Sequence, residues 1–295
     1  METIKVRANA KINLSLDITG KHEDGYHELD SVMMSVGVYD TLTFKMTDTP
    51  GIELACTSDG IPLDRTNIIY KCAEALFEKY GLTEKAGVFI IVDKNIPTQA
   101  GMGGGSADGA AALVALNRLF ELNADEKRLM EIGASIGADI PFCIRGGCCR
   151  CQGIGEVLTD IKLKSEIPLV IIKPDAAVST PQAYKDYDSL ISPAHCDTEI
   201  LINALESGDI KNIGGHLFNS FEDAVKESSI NDARILLKQK GALSALMTGS
   251  GSAVFGIFES MKKAELAHRY LQGFGYSKGF VCTNESHGVE IIAKG

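Results

Sequence analysis

No apolar stretch in this chain is long enough to cross a membrane, and no apolar core of a signal peptide opens it. Export and membrane spanning are therefore not expected, and a cytoplasmic protein is. Positive charge is in deficit, with 29 Lys and Arg against 39 Asp and Glu and a net charge of −10. That balance excludes a general nucleic-acid binder, but a nucleotide needs only a local positive potential. Eight cysteines in 295 residues lack the density of a secreted disulfide scaffold. Cys148 and Cys151 have C-x₂-C spacing, yet no second Cys/His pair follows at the distance a zinc site needs. The cluster follows Gly146-Gly147 and does not open a helix, so a thioredoxin-like motif does not fit either. Small apolar strand residues are the expectation there. Internal repeats, charge blocks and low-complexity tracts are missing as well. What remains is a globular chain of ordinary composition, 45% apolar and 23% charged, long enough for one large domain or two smaller ones.

The most informative stretch is 88–117, VFIIVDKNIPTQAGMGGGSADGAAALVALN. It opens on a β-branched and aromatic run that predicts a buried strand. Pro97, Gly101, Gly103, Gly104 and Gly105 then predict a loop, and the Ala/Leu-rich remainder a helix with Ser106 at its N-cap. A glycine run opening into a helix suits an anion, because backbone without Cβ closes around phosphate and the helix start offers free N–H groups. The plain alternative is a loop before a capped helix, but four glycines within five positions cost more backbone entropy than that requires. A Walker A loop would need Lys and Ser/Thr after its last glycine, where this chain has Ser106-Ala107-Asp108. A dinucleotide fingerprint would begin directly after the strand, but eight residues separate Val92 from Gly101. A phosphate loop of another type is left.

Around this unit, alternation predicts strands over 2–8 and 11–19, which places Lys11, Asn13, Ser15 and Asp17 on one face. A solvated polar face is the ordinary reading, and it is the one adopted for Asp17. Further strands are expected over 31–36, 41–46 and 52–56, then a helix from an N-cap at Thr66 to Tyr80, and another over 125–136. Pro141 should push Ile140 out of helical geometry and make a sharp junction at Asp139. A hairpin should follow between Gly146-Gly147 and 153–155. Beyond it helices dominate, with strands over 168–173, 242–247, 253–258, 278–283 and 289–293. These patterns predict an α+β protein of two domains, 1–160 and 161–295, with the final strand free to return to the first.

Phosphoryl transfer asks a protein to hold phosphates, offset charge and align the attacking hydroxyl. Lys11 is a candidate cation and Asp139 a candidate carboxylate. Their plain readings are a solvated strand lysine and a turn aspartate bonded to its own backbone. For Tyr26-His27, taken alone, the plain reading is an edge of the core.

Five elements occur together in order: N-A-K-I-N (9–13), D-G-Y-H (24–27), I-P-x₃-G-M-G-G-G-S-A-D-G-A-A (96–111), G-A-D-I-P-F (137–142) and M-T-G-S-G-S-A-V-F-G (247–256). Across almost its whole length the chain resembles the GHMP kinases. The first two elements resemble the branch whose acceptor alcohol carries a cytidine diphosphate. The resemblance implies a two-domain kinase with ATP and Mg²⁺ in the first domain and a small-molecule substrate in the interdomain cleft. It implies neither a nucleic-acid nor a membrane partner, and a monomer or weak homodimer is expected. Pro97, Thr98, Gln99, Ala100, Gly101, Met102, Gly103, Gly104, Gly105, Ser106 and Ala107 would wrap the ATP phosphates, with Asn67 and Lys94 near the nucleoside. Ser106 would be the side chain for Mg²⁺. Asp139 would take the proton of the acceptor hydroxyl and Lys11 would orient it. Asn13, Tyr26, His27, Thr180, Gly249 and Gly251 would face the substrate, with Tyr26 and His27 at the cytosine. Two departures stand out. Met33 occupies a place that is often aromatic in that branch, which would put a thioether opposite the base, and the Cys148–Cys151 cluster has no counterpart in function. Other acceptors within the same superfamily, namely homoserine, mevalonate or a sugar, and a non-catalytic nucleotide-binding module are the alternatives. The aromatic pair argues against the first group, and the presence of both Lys11 and Asp139 against the second.

Overall fold

In the computed structural model, which describes residues 2–23, 25–276 and 279–295, the glycine loop joins a sheet to its longest helix. Strands β1 (Thr3–Lys21), β2 (His27–Thr47) and β3 (Gly51–Cys56) precede α1 (Ile68–Tyr80). Strand β4 (Gly87–Asp93) leads through the loop into α2 (Gly104–Leu119), followed by α3 (Glu126–Ala134), α4 (Ile140–Arg145) and the hairpin β5 (Cys148–Gly153) and β6 (Val157–Asp160). Then come β7 (Leu169–Ile172), α5 (Thr180–Asp188), α6 (Thr198–Ser207), α7 (Ile210–Gly215), β8 (Phe218–Asn219) and a 3₁₀ turn, Ser220–Glu222. The chain closes with α8 (Ser228–Gln239), β9 (Ser244–Met247), β10 (Val254–Ile257), α9 (Met261–Gln272), β11 (Phe280–Cys282) and β12 (Val289–Lys294).

The strands form two sheets in an α+β arrangement. In the larger, the order is β12-β1-β2-β4-β3, with β5 also on β2, β6 on β5 and β8 on β1; the smaller runs β11-β7-β10-β9. The last strand thus lies antiparallel beside the first. Where alternation suggests separate short strands over 2–19 and over 31–46, two continuous ones run instead. Breaks in their pairing register at Asn9/Ala10, Asn13/Ser15 and Ile18/Gly20 bend the ribbon without ending it. Helices cover one face of the larger sheet and the chain's second half covers part of the other, so from Val6 to Ile18 nearly every residue of β1 is buried on both sides.

That burial corrects the reading of Asp17 as solvated. It is 3% exposed and accepts hydrogen bonds from the Cys196 N–H (3.1 Å) and Ser220 Oγ (3.4 Å), with His195 Nδ1 2.8 Å away. Asn67, not Thr66, caps α1, accepting from the Ile69 N–H at 2.8 Å. Helix α2 starts three residues earlier than expected, with Gly103 and not Ser106 at its N-cap. Pro141 opens a helix where a break was expected, because in the first turn its missing N–H has no partner to lose. The cysteines of β5 are buried strand residues, all free, and burial pushes the Cys149 thiol up to about 12. Such thiols are inert at neutral pH. Lys278, in the strand expected over 278–283, and Asp24, in the D-G-Y-H element, lie outside the described residues.

Candidate active site

The glycine loop takes its shape from left-handed backbone at Gln99 (φ 52°), Gly101 (φ 70°) and Gly103 (φ 70°). Two of these positions also need the missing side chain. A Cβ on Gly101 would lie 2.1 Å from the Thr248 carbonyl oxygen, and one on Gly103 would lie 3.0 Å from Lys11 Cγ. The loop is therefore pressed between β1 and the turn after β9. Lys11 N–H donates to the Met102 carbonyl (3.0 Å), Ala253 N–H to that of Ala100 (3.1 Å), and Thr248 Oγ1 bonds the Asn13 N–H (3.0 Å).

Two cavities meet at this loop. One, of about 370 Å³, is walled by Pro62, Asn67, Ile68, Lys94, Asp108 and the run from Pro97 to Ser106. The other, of about 770 Å³, holds Lys11, Asn13, Tyr26, His27, Asp139, Thr180 and Gly249. Gly101, Gly103 and Ser106 belong to both walls, so a group held at the loop is presented to both spaces. Ala107 belongs to neither, since its methyl is buried and its N–H bonds the Gly103 carbonyl at 2.8 Å. It therefore cannot hold phosphate. Gly251 also stays out of the larger cavity and packs over Met247, Ile230 and Val178.

At the floor of the smaller cavity Lys94 Nζ lies between two buried carboxylates, Asp40 and Asp108, at 2.7 Å from the latter. One ammonium cannot neutralise both. Burial pushes Asp108 upward, against the pull of Lys94 and helped by the charge of Asp40, to about 8, and its buried Oδ1 has no hydrogen-bond partner among the described residues. Because its folded value lies above the ordinary 3.8, the stability linked to its proton is complete below that pH and is lost as pH rises through about 8. Melting scans should therefore show a loss of Tm from pH 5 to pH 8.5 that is clearly smaller in Asp108→Asn. An equal slope in both proteins would contradict the assignment.

In the larger cavity the N-A-K-I-N element builds the reacting end. Lys11 is 4% exposed, and its Nζ donates to Asn13 Oδ1 (2.8 Å) and lies 3.4 Å from Asp139 Oδ2. Asn13 Nδ2 is held by Ser31 Oγ at 2.9 Å. Asp139 stands at the N-cap of α4, yet its side chain makes no capping bond. The turn-aspartate reading therefore fails: the carboxylate points at a lysine and a cavity, not at its own backbone. A buried ammonium beside a half-exposed carboxylate is what a proton acceptor next to developing negative charge requires.

The opposite end is aromatic. Tyr26 is 60% exposed, His27 is stacked on Tyr184 (centroids 4.5 Å apart, 19° between planes), and Tyr184 meets Phe221 edge-on. Met33 lines the same cavity. Thr180 Oγ1 is 2.7 Å from Ser250 Oγ, which ties α5 to the turn after β9. Sequence reasoning missed Tyr184 and Asp188. The signal was present, since 180, 184 and 188 recur at one helical face.

Among the described residues no group of three or more His, Cys, Asp or Glu side chains is placed to hold a metal ion. Mg²⁺ held mainly by phosphate oxygens needs only one or two protein ligands.

Residues 67–147 match the GHMP kinases N terminal domain and residues 201–277 the GHMP kinases C terminal domain. A 4-diphosphocytidyl-2-C-methyl-D-erythritol kinase of Clostridioides difficile (strain 630) is 40% identical over 297 residues, covering 100% of this chain and 99% of the relative. The kinase of the same name from Thermoanaerobacter pseudethanolicus is 40% identical over 293 residues, covering 99% of each. A crystal structure of 4-(cytidine 5'-diphospho)-2C-methyl-D-erythritol kinase superposes with a TM-score of 0.81 at 29% identity, over 95% of this chain and 99% of that one. Homoserine kinase from Cytophaga hutchinsonii shares the fold, with a TM-score of 0.75 at 21% identity over 98% and 97% of the two chains. Matched along its full length, and carrying the glycine loop and the Lys11–Asp139 pair in one cleft, the chain belongs to the 4-diphosphocytidyl-2-C-methyl-D-erythritol kinase family of the GHMP kinases.

Proposed function

We propose that this protein transfers the γ-phosphate of ATP to a hydroxyl of 4-diphosphocytidyl-2-C-methyl-D-erythritol, a step in non-mevalonate isoprenoid precursor synthesis. The observation that carries the reading is one cavity with a lysine–carboxylate pair at one end and an aromatic cluster at the other, opening on the glycine loop between them. Homoserine or mevalonate has no base to set against Tyr26, His27 and Tyr184. ATP takes the smaller cavity, with its phosphates on Gly101 to Ser106 at the positive end of α2. Asn67 lies in its wall with Oδ1 committed to the start of α1, and Lys94 is neutralised by Asp40, with the Asp108 carboxyl, pushed up by burial, beside it. Both therefore shape that wall and neither adds net positive charge. Ser106 and the unpartnered Asp108 Oδ1 are the side-chain oxygens in the wall that fit Mg²⁺, which when bound would offset phosphate charge. The chain divides by this reading into a nucleotide-side part, 1–160, and a substrate-side part, 161–295, with β12 returned to the first.

Asp139 takes the proton from the attacking hydroxyl. Lys11, fixed by Asn13, holds that carboxylate in place and offsets the charge growing on the transferred group. Lys11→Met should lower kcat strongly. The double variant with Asp139→Asn should lose far less than the product of the single losses, because the two act as one unit. Full additivity in such a cycle would show that they act on different atoms.

Tyr26→Ala removes stacking worth about 1–3 kcal/mol, so KM for the cytidine substrate should rise about tenfold to a hundredfold while KM for ATP stays put. Tyr184→Ala should behave alike. If both ligands weakened together, these rings would be packing residues. The function itself is tested by following ATP consumption with 4-diphosphocytidyl-2-C-methyl-D-erythritol, homoserine, mevalonate and galactose. Turnover of the first alone is expected, and preference for any other would overturn the reading.

A further inference from the structure

The edge of β1 that carries the reacting residues is covered by loops and not by a strand. β12 pairs with residues 4–8 and β8 with Ser15 and Leu16, and among the described residues no strand lies against the gap between them. Lys11 N–H goes instead to the Met102 carbonyl of the glycine loop at 3.0 Å, and Asn13 N–H to Thr248 Oγ1, also at 3.0 Å. The same hydroxyl donates to the Gly101 carbonyl at 3.4 Å. One oxygen therefore bridges the strand of the lysine–carboxylate pair and the loop assigned to phosphate, accepting on one side and donating on the other. Thr248 is fully buried and firmly held. Asn219 Nδ2 donates to the carbonyls on either side of it, Met247 at 2.7 Å and Gly249 at 2.9 Å, and its own N–H bonds the Ala253 carbonyl at 3.0 Å. It belongs to the wall of neither cavity, so it is not placed to hold either ligand directly.

We propose that Thr248 is a positioning residue for phosphoryl transfer: its hydroxyl, acting through Asn13 on Lys11 and Asp139, sets the reacting pair at a fixed distance from the Gly101 end of the phosphate loop. The inference rests on the kinase reading above and adds what keeps the two partners of the reaction in register. Asn13 Oδ1 accepts from Lys11 Nζ at 2.8 Å, and that Nζ lies 3.4 Å from Asp139 Oδ2, so the chain of contacts runs unbroken from Thr248 to the proton acceptor. Removing the hydroxyl leaves the buried Asn13 N–H without a partner and unties the strand from the loop. A buried N–H in that state is relieved by moving the backbone that carries it. Misplacement of reacting groups by about 1 Å costs roughly 10²-fold in rate, so a small shift here is felt in the chemical step.

The test compares wild type with Thr248→Val, Thr248→Ser and Thr248→Cys by single-turnover rate, by KM for ATP and for the cytidine-diphosphate-linked alcohol, and by Tm. Thr248→Val exchanges the hydroxyl for a methyl group of nearly the same shape. Its rate should fall about tenfold to a hundredfold, while each KM stays within about threefold of wild type. Thr248→Ser keeps the hydroxyl and loses a buried methyl, so its Tm should drop while its rate stays within about threefold of wild type. Rate and stability are thereby separated, which a threonine that only packs would not do. Thr248→Cys offers a weaker acceptor, so its rate should fall between the other two, and it carries the test if Thr248→Val does not fold. A wild-type rate in Thr248→Val, a loss that lies in either KM, or rates that follow Tm across the variants would overturn the inference and leave the kinase reading intact. So would a wild-type rate in Thr248→Cys. A wild type that does not turn over the cytidine-linked alcohol would overturn the kinase reading and this inference with it.

Discussion

Asp139→Asn is expected to lower kcat by about 10²–10⁴-fold, the usual contribution of a positioned general base. The substitution keeps the shape of the side chain and removes its charge and its capacity to take a proton. Little else should change, because the Asp139 side chain makes no capping bond to α4 and its ion-pair partner is Lys11 at 3.4 Å. KM for ATP and for the acceptor alcohol should therefore stay within about threefold of wild type, since the lost interaction matters mainly in the transition state. Single-turnover measurements at saturating substrates check this directly. A wild-type rate in the variant would return Asp139 to the status of a turn residue and leave the proton to another group.

The second large effect is expected at Gly101. A valine there would carry its Cβ to 2.1 Å from the Thr248 carbonyl oxygen, on backbone at φ 70° that a branched residue resists. Neither strand end can yield alone, because Ala253 N–H holds the Ala100 carbonyl and Asn13 N–H holds Thr248 Oγ1. The loop should move by on the order of 1 Å, which costs roughly 10²-fold when reacting groups are misplaced, and ATP affinity should fall with it. Gly105→Ala is the control. Its added methyl would meet only the end of the Ile68 side chain at 3.2 Å, so a much smaller change in kcat/KM is expected. Equal losses in the two variants, or calorimetric ATP binding unchanged in Gly101→Val, would contradict the role given to the loop.

The glycine loop and its helix were legible in the sequence because local chemistry dictates them. Only residues tolerant of left-handed backbone serve at 101 and 103, and an Ala/Leu run propagates a helix. The polar face of β1 was legible as a face but not as buried. Alternation reports which residues share a side, not what covers it, and the cover over Asp17 comes from residues 195–220, about 180–200 positions away. Capping failed by one to three residues at Thr66 and Ser106 for a related reason. Several small polar residues or glycines compete at each helix start, and tertiary contacts choose among them. Tyr184 and Asp188 share one helical face with Thr180, but that spacing does not single out a site until His27 is brought against it. The separation of Gly251 from the cavity, one residue beyond Ser250 in its wall, likewise needs coordinates.

A structure of the protein with 4-diphosphocytidyl-2-C-methyl-D-erythritol and a non-hydrolysable ATP analogue would locate both reacting groups at once. The acceptor hydroxyl should lie within roughly 2.6–3.2 Å of an Asp139 carboxylate oxygen, the hydrogen-bond reach of a general base. The γ-phosphate should sit at the loop shared by the two cavities and the cytosine among Tyr26, His27 and Tyr184. A cytosine in the cavity walled by Asn67 and Lys94, or a hydroxyl directed away from Asp139 with both ligands bound, would contradict these assignments.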